Sequence, residues 1–561
     1  MTMLRAVGLR VVPIRSVAIR LAACCLALAA ASAQVSYERL LNAGDEPGQW
    51  LTYSGAYDGH RFSSLDEIHR GNVDQLELKW VFQTKSLEKF EVTPLVADGV
   101  MYFTQAPNTA IAIDPSTGRE FWRYEHQGAE APVCCGRVNR GLAILGETLY
   151  MGTIDGKLVA LDAASGNVRW QVQAADPRQG YALTVAPLVI KDKVLVGMAG
   201  GEFGIRGYLD AYDAETGERA WRFHTVAGPG QPGHETWEGD SWKHGGGSIW
   251  VTGSYDPELN LTYWGIGNPA PDWNGDVRKG DNLYTESVVA LDADSGKLKW
   301  HFQFTPHDVW DWDSAQVPVL ADLDFEGKPR KLVLWANRNG FYYVLDRETG
   351  EYLAGRQFTY QNWAKGLDEA GRPMRIPGME PSAAGIKVFP AATGATNWYS
   401  PSYSPRSGLF YVSAWEYSYG IFRKWKSRYE PGQPYIGGTA TPWVPDPINH
   451  EDPGHSAVLA LDPLTGERKW EFSMTAATES GILTTGGDLV LTGAKEGYLL
   501  ALDAATGELL LKKNLGGPVY SAPITYKDAK GKDGDGQLIT IPAGNALFTF
   551  GLREEKREEE R

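Results

Sequence analysis

The chain has 561 residues, 43% of them hydrophobic and 22% charged, with 64 Gly, 32 Pro, 20 Trp, 26 Tyr and 18 Phe. A chain this long and this apolar buries a large core, and its charge content excludes wholesale disorder. No apolar run outside the N-terminus approaches membrane-spanning length, so the mature chain is expected to have no membrane span, and the net charge of -15 argues against a nucleic-acid partner.

Arg5, Arg10, Arg15 and Arg20 carry all the charge of residues 1–33. The apolar stretch from Leu21 to Ala30 leads into Ala31-Ser32-Ala33, an A-x-A cleavage signature before Gln34. Residues 1–33 are therefore expected to be a signal peptide. A lipoprotein reading of Leu21-Ala22-Ala23-Cys24 competes, but the apolar segment before that cysteine is short and interrupted by Arg20. Losing four arginines takes the net charge from -15 to -19. Cys24 and Cys25 leave with the signal, so Cys134 and Cys135 remain, in an oxidising compartment where two thiols tend to pair.

One unit then recurs: a β-rich segment, hydrophobic-Ala-hydrophobic-Asp, a Ser/Thr-Gly turn and usually Trp four residues after the Gly. Its copies are Asp114 with Gly118 and Trp122, Asp162 with Gly166 and Trp170, Asp213 with Gly217 and Trp221, and Asp292 with Gly296 and Trp300. Asp346 with Gly350, Asp462 with Gly466 and Trp470, and Asp503 with Gly507 follow. The Asp-to-Asp spacings of 48, 51, 79, 54, 116 and 41 lie mostly near the length of a four-stranded propeller blade. The 116-residue gap has room for two blades, and Trp398 to Ala414 reads as strand and turn, so an eighth, degenerate blade is placed there. The fold class expected is all-β, an eight-bladed β-propeller over residues 34–552, followed by a charged, solvated tail at 553–561. In each unit Asp caps the turn, Gly supplies its positive φ and Trp fills the wedge between sheets. Residues 227–247, 360–396 and 415–455 are rich in Pro, Gly and aromatics and are expected to be ordered loops at one mouth, where propellers hold ligands.

Two local features call for a reason. Neighbouring Cα atoms lie roughly 3.8 Å apart, below the usual disulfide range, so Cys134 and Cys135 form either a strained bond between neighbours or two buried free thiols. In Thr305-Pro306-His307-Asp308-Val309-Trp310-Asp311-Trp312-Asp313, an extended chain would point Asp311 and Asp313 the same way, and without a cation between them their pKa values would rise. A solvated acidic loop is the alternative. No His/Cys cluster has zinc spacing, so a metal here should be hard and oxygen-bound.

With these residues together, and in this order along the whole mature chain, the sequence resembles the periplasmic quinoprotein alcohol dehydrogenases of the methanol/ethanol type, propellers that hold pyrroloquinoline quinone (PQQ) and a metal. The resemblance implies a vicinal disulfide at Cys134-Cys135 stacked on one face of the quinone and the indole of Trp250 beneath the other. It places Glu91, Arg140, Thr184, Ser248 and Asn397 as hydrogen-bonding partners of the quinone, with Gly200 and Gly201 admitting backbone N–H groups and Arg338 beside the reactive carbonyl. Glu202, Asn268 in Gly267-Asn268-Pro269, and Asp311 match the metal ligands. Asp313 is the further acid found in lanthanide-dependent members, so a lanthanide ion is expected ahead of Ca²⁺; three carboxylates suit a trivalent ion.

The activity implied is oxidation of primary alcohols to aldehydes in the periplasm, with Asp311 as general base, Arg338 stabilising charge on the quinone oxygen and the metal acting as Lewis acid. A metal-bound alkoxide is an open variant. The chain has no Cys-x-x-Cys-His for covalent haem, so a separate cytochrome c is the implied electron acceptor. Gly136, Ala199 and Glu479 depart from the family's common Asp, Ser, and Trp or Asn. A noncatalytic propeller scaffold of outer-membrane assembly, and a PQQ dehydrogenase of sugars, aldehydes or polymers, are the competing functions; the preferred alcohol and the choice between monomer and homodimer are left open.

Overall fold

In a computed structural model, residues 34–129, 131–443, 454–528 and 536–553 are described. The expected signal peptide, and the tail beyond Arg553, lie outside the described residues.

The repeat's turn chemistry is as the sequence implies. Asp162 Oδ1 accepts from the backbone N–H of Ser165 at 2.9 Å, and the N–H of Gly166, at φ +72, closes the turn onto the Asp162 carbonyl at 2.8 Å. The register then slips between Val168 and Trp170, a bulge that seven of the sheets share at the same place. Each indole lies on the glycine of the next unit. A Cβ on Gly166 would sit 2.5 Å from the Trp122 ring, whose Nε1 donates to the Ala163 carbonyl at 3.0 Å. Trp80 meets Gly118, Trp170 meets Gly217, Trp221 meets Gly296, Trp300 meets Gly350 and Trp470 meets Gly507 in the same way. At Gly466 the ring is Tyr342, from the Asp346 unit, which lacks the tryptophan, and its hydroxyl donates to the Pro463 carbonyl at 2.9 Å. The glycines are thus required twice, for the left-handed turn and for the flat approach of a ring.

Eight sheets of four antiparallel strands each result among the described residues, besides two smaller ones. Seven follow the chain, at residues 95–125, 143–173, 188–224, 254–303, 319–357, 402–474 and 482–514. The eighth joins Ile524–Asp528, Gly536–Ala543 and Ala546–Leu552 to Leu76–Gln83, a strand from the other end of the chain. Phe62–Ser63 adds a parallel fifth strand to the seventh sheet. The count agrees with expectation, but the position of the eighth blade does not. Residues 398–414 supply the first two strands of the sheet whose third strand ends at Leu461. The 116-residue gap holds a hairpin of Ala364–Leu367 and Pro373–Arg375 and a three-stranded sheet of Ile386–Val388, Tyr419–Lys424 and Gly438–Trp443. The segments expected as loops are therefore partly β-structure, and residues 444–453 lie outside the described residues.

Among the described residues, helix is limited to Tyr37–Leu41, capped by Ser36, and short 3₁₀ turns, and no helix there is long and apolar enough to cross a membrane. Arg61, fully buried, fastens the N-terminal segment to the last two sheets. It donates to the carbonyls of Tyr53, Ile482 and Pro523, and burial without a carboxylate pulls its pKa down to about 10.

Candidate active site

Two kinds of connection open on one cavity of about 290 Å³. Segments entering a sheet bring Glu91, Arg140, Thr184, Trp250, Asp311, Asp313 and Asn397; loops between second and third strands bring Gly200, Glu202 and Arg338. The cavity therefore gathers residues scattered over the whole sequence. Of the sequence-predicted site residues, all but Gly201 and Asn268 line it, and those two stand directly behind: a Cβ on Gly201 would meet Asn268 Oδ1 at 2.9 Å and Ser248 Oγ at 3.3 Å. Gly200, at φ +120, has the Gly180 carbonyl where a side chain would go.

Cys134 and Cys135 form a disulfide between neighbours, resolving the choice left by the sequence, and it is exposed at the rim. Cys134 Sγ lies 2.9 Å from Glu202 Oε1, so the disulfide borders the acidic part of the cavity. On the other side, Arg140 is held by Glu91 at 2.7 Å and donates to Thr184 Oγ1 at 3.1 Å. Its guanidinium lies between the rings of Trp250 and Trp398, 4.8 and 4.7 Å from their centroids. Burial raises the Glu91 pKa against the pull of Arg140. Asn397 donates to the Thr393 carbonyl at 2.8 Å and receives the N–H of Trp398 at 2.8 Å.

The segment from Thr305 to Asp313 is not extended. His307 and Asp311 adopt left-handed conformations, at φ +53 and +64, so the two carboxylates converge by a turn rather than by strand alternation. Asp308 makes that turn, its carboxylate accepting from the backbone N–H groups of Trp310, Asp311 and Trp312. The cation between the two acids is Arg338, whose Nη1 donates to Asp313 Oδ2 at 2.7 Å and whose Nη2 lies 4.0 Å from Asp311 Oδ2. Asp313 also receives the Asn268 N–H at 2.7 Å and the Trp250 indole N–H at 3.2 Å. One carboxylate thus ties together the groups that the resemblance assigns separately to metal and quinone.

Burial, with the charge of Asp313, pushes the Glu202 carboxyl up to about 7. Burial likewise holds Asp311 well above the usual carboxylate range against the pull of Arg338, with Asp313 and Glu202 adding to the rise. The donor set is hard oxygen. Among the described residues, the one group of three potential ligand side chains with donor atoms within 4.8 Å of one another is Cys134, Cys135 and Glu202, and a disulfide offers no thiolate. The acids therefore surround the cavity rather than touch.

Sequence reasoning missed Trp398, which reads as a strand residue, and Asp308, submerged in an acidic run. Glu479 is paired with Lys495 at 2.8 Å and Lys89 at 3.4 Å, so this departure from the family pattern places a neutralised carboxylate at the cavity edge.

Comparison with known proteins agrees with this arrangement. Residues 50–357 match the family model described as glucose/ethanol/alcohol dehydrogenase, beta-propeller domain, and residues 454–548 match one described as outer membrane protein assembly factor BamB. The chain is 38% identical to the quinohemoprotein alcohol dehydrogenase ADH IIB of Pseudomonas putida, over 95% of its own length and 80% of the relative's. It is 37% identical to the quinoprotein alcohol dehydrogenase PedH of Pseudomonas putida, covering 95% and 92%, and 38% identical to a lanthanide-dependent methanol dehydrogenase of Methylorubrum extorquens, covering 92% and 90%. A solved europium-containing methanol dehydrogenase superposes with a TM-score of 0.86 at 33% identity, covering 92% of this chain and 100% of that one. Repeat architecture, convergent acids, vicinal disulfide and these matches together place the chain in the family of PQQ-dependent quinoprotein alcohol dehydrogenases.

Proposed function

We propose that the chain is a periplasmic oxidoreductase that converts primary alcohols to aldehydes, using PQQ and a lanthanide ion, and passes its electrons to a separate cytochrome c. The residues present fit both groups. Gly267 has no room for a side chain because Asp313 Oδ1 would lie 2.3 Å from its Cβ, so the backbone yields its place to a carboxylate oxygen. Glu202, Asn268, Asp311 and Asp313 would hold the cation through hard oxygen. Cys134-Cys135, Trp250, Arg140, Thr184, Ser248 and Asn397 would hold the quinone, which when bound supplies the two-electron acceptor.

The chain's own part is to place the alcohol and manage its proton. Asp311, with a carboxyl pKa raised by burial, is the base that takes the hydroxyl proton. Arg338, within 4.0 Å of Asp311, holds a fixed positive charge beside the reacting atoms. The disulfide and Trp250 bound the space in which the substrate carbon is oriented. A small alcohol fits a cavity of about 290 Å³ that must also admit the cofactor. The mature chain's surplus of acid, -19, favours a basic electron acceptor.

The observation that carries this reading is the placement of Glu202, Asp311 and Asp313 around one cavity beside the vicinal disulfide, with Arg338 as the cation between Asp311 and Asp313. The test is reconstitution of the metal-free protein with PQQ and either La³⁺ or Ca²⁺. Asp311→Ala is expected to lose turnover with either ion, and Asp313→Ala to lose the La³⁺ response while staying folded. Equal La³⁺ rates for Asp313→Ala and parent would exclude the lanthanide assignment, and no oxidation of any alcohol would favour a scaffold.

A further inference from the structure

Asp272 follows the Gly-Asn-Pro turn, four residues after Asn268, in the loop between the second and third strands of the fourth sheet. Its side chain is fully buried and neither carboxylate oxygen has a hydrogen-bond partner. The candidate counter-ion is Arg278, also fully buried, but its N–H groups go to the carbonyls of Pro271, Asp272 and Asp308 and to Asn282 Oδ1. Its charge is matched first with Asp308. The charges acting most strongly on Asp272 are instead those of Asp311 and Glu202, with Asp313 adding.

The loop is sealed from outside by residues 425–438. Trp273 N–H donates to the Ile436 carbonyl at 3.0 Å, Asn274 Nδ2 to the Trp425 carbonyl at 2.9 Å, and Tyr435 N–H to the Glu202 carbonyl at 2.6 Å. A carboxylate buried without a donor, beside others of its own sign, is costly unless a cation joins it.

We propose that Asp272 is a fourth acidic group of the cation site and sets its preference for a trivalent over a divalent ion. The proposal rests on the cation-site reading given above. Glu202, Asp311 and Asp313 already outnumber Arg338, and Asp272 adds a further negative charge, a surplus that favours a trivalent over a divalent ion. Direct ligation is not required; a fixed charge beside the ligands has the same sign of effect.

The test is Asp272→Asn in the full chain without quinone, titrated with Tb³⁺ by tryptophan-sensitised luminescence and with Ca²⁺ by calorimetry, and melted with and without ion. Tb³⁺ affinity is expected to fall about tenfold or more while Ca²⁺ affinity stays within about threefold. The metal-free variant should melt above the parent, because a buried carboxyl group without a partner is gone, and its rise in Tm on adding Tb³⁺ should shrink. Asp272→Ser, which removes the charge with less bulk, carries the same expectations if the amide fails to fold. Equal Tb³⁺ affinities for parent and variants, in a protein whose Tb³⁺ binding is lost in Glu202→Gln, would overturn this proposal alone. Tb³⁺ binding indifferent to Glu202→Gln would overturn the cation-site reading as well.

Discussion

The backbone N–H of Asp311 donates to Asp308 Oδ2 at 2.8 Å, and the N–H groups of Trp310 and Trp312 reach the same carboxylate at 3.3 and 3.4 Å. Asp311 is thereby held in a left-handed conformation that an aspartate adopts only with local support. Asp308→Ala should cost about 1–2 kcal/mol of stability, on the scale of a lost cap, and lower kcat more than it changes KM, because the carboxylate proposed to take the alcohol's proton is misplaced. Asp308→Asn keeps an acceptor and should recover most of both. Thermal melts and steady-state kinetics on the reconstituted enzyme check this; an alanine variant with parental kcat would show that Asp311 needs no such support.

The raised pKa of Glu202 gives a pH dependence with a definite sign. The folded protein keeps a proton that the unfolded chain releases, so this group costs stability as pH rises from its ordinary value of 4.5 through about 7. Metal-free Glu202→Gln should therefore gain on the parent between pH 5 and 8, by up to about 2 kcal/mol, and lose that advantage when La³⁺ is present. Denaturant melts at the two pH values measure it.

The disulfide at the rim predicts a separation between fold and cofactor. Reduction, or replacement of both Cys134 and Cys135 by Ala, should leave the Tm within a few degrees, since the pair is exposed and joins adjacent residues with no loop to close. PQQ affinity should fall about tenfold or more, read from the absorbance of the bound quinone. Unchanged affinity would remove the disulfide from the cofactor site.

The docking of rings on glycines predicts the opposite separation. Gly166→Ala puts a Cβ 2.5 Å from the Trp122 ring at φ +72, so about 2–3 kcal/mol of stability should go. Turnover per folded molecule should be unchanged, because neither residue lines the cavity. Urea unfolding beside active-site titration distinguishes the two.

How much of this was legible in the sequence follows from whether each feature is local. Turn, bulge and docking ring lie within one repeat, so seven blades could be read directly. The remaining blade carries no Asp-to-Gly turn and borrows residues 76–83 from far away, which no local pattern announces. The site residues were found by resemblance, and their meeting beside Arg338 depends on closure of the ring. Asp272, in a stretch rich in Pro and Gly, reads as an ordinary turn former; only its burial without a donor singles it out.

The pairing of residues 76–83 with residues 546–552 also fixes when the molecule can exist. The strand that completes the last blade is made early and must wait, unpartnered, for nearly the whole chain to be synthesised before its neighbour arrives. Until that late union the ring has two open edges, inviting association between copies. Small truncations at either edge should thus show first as poor yield of assembled protein, ahead of any defect in chemistry.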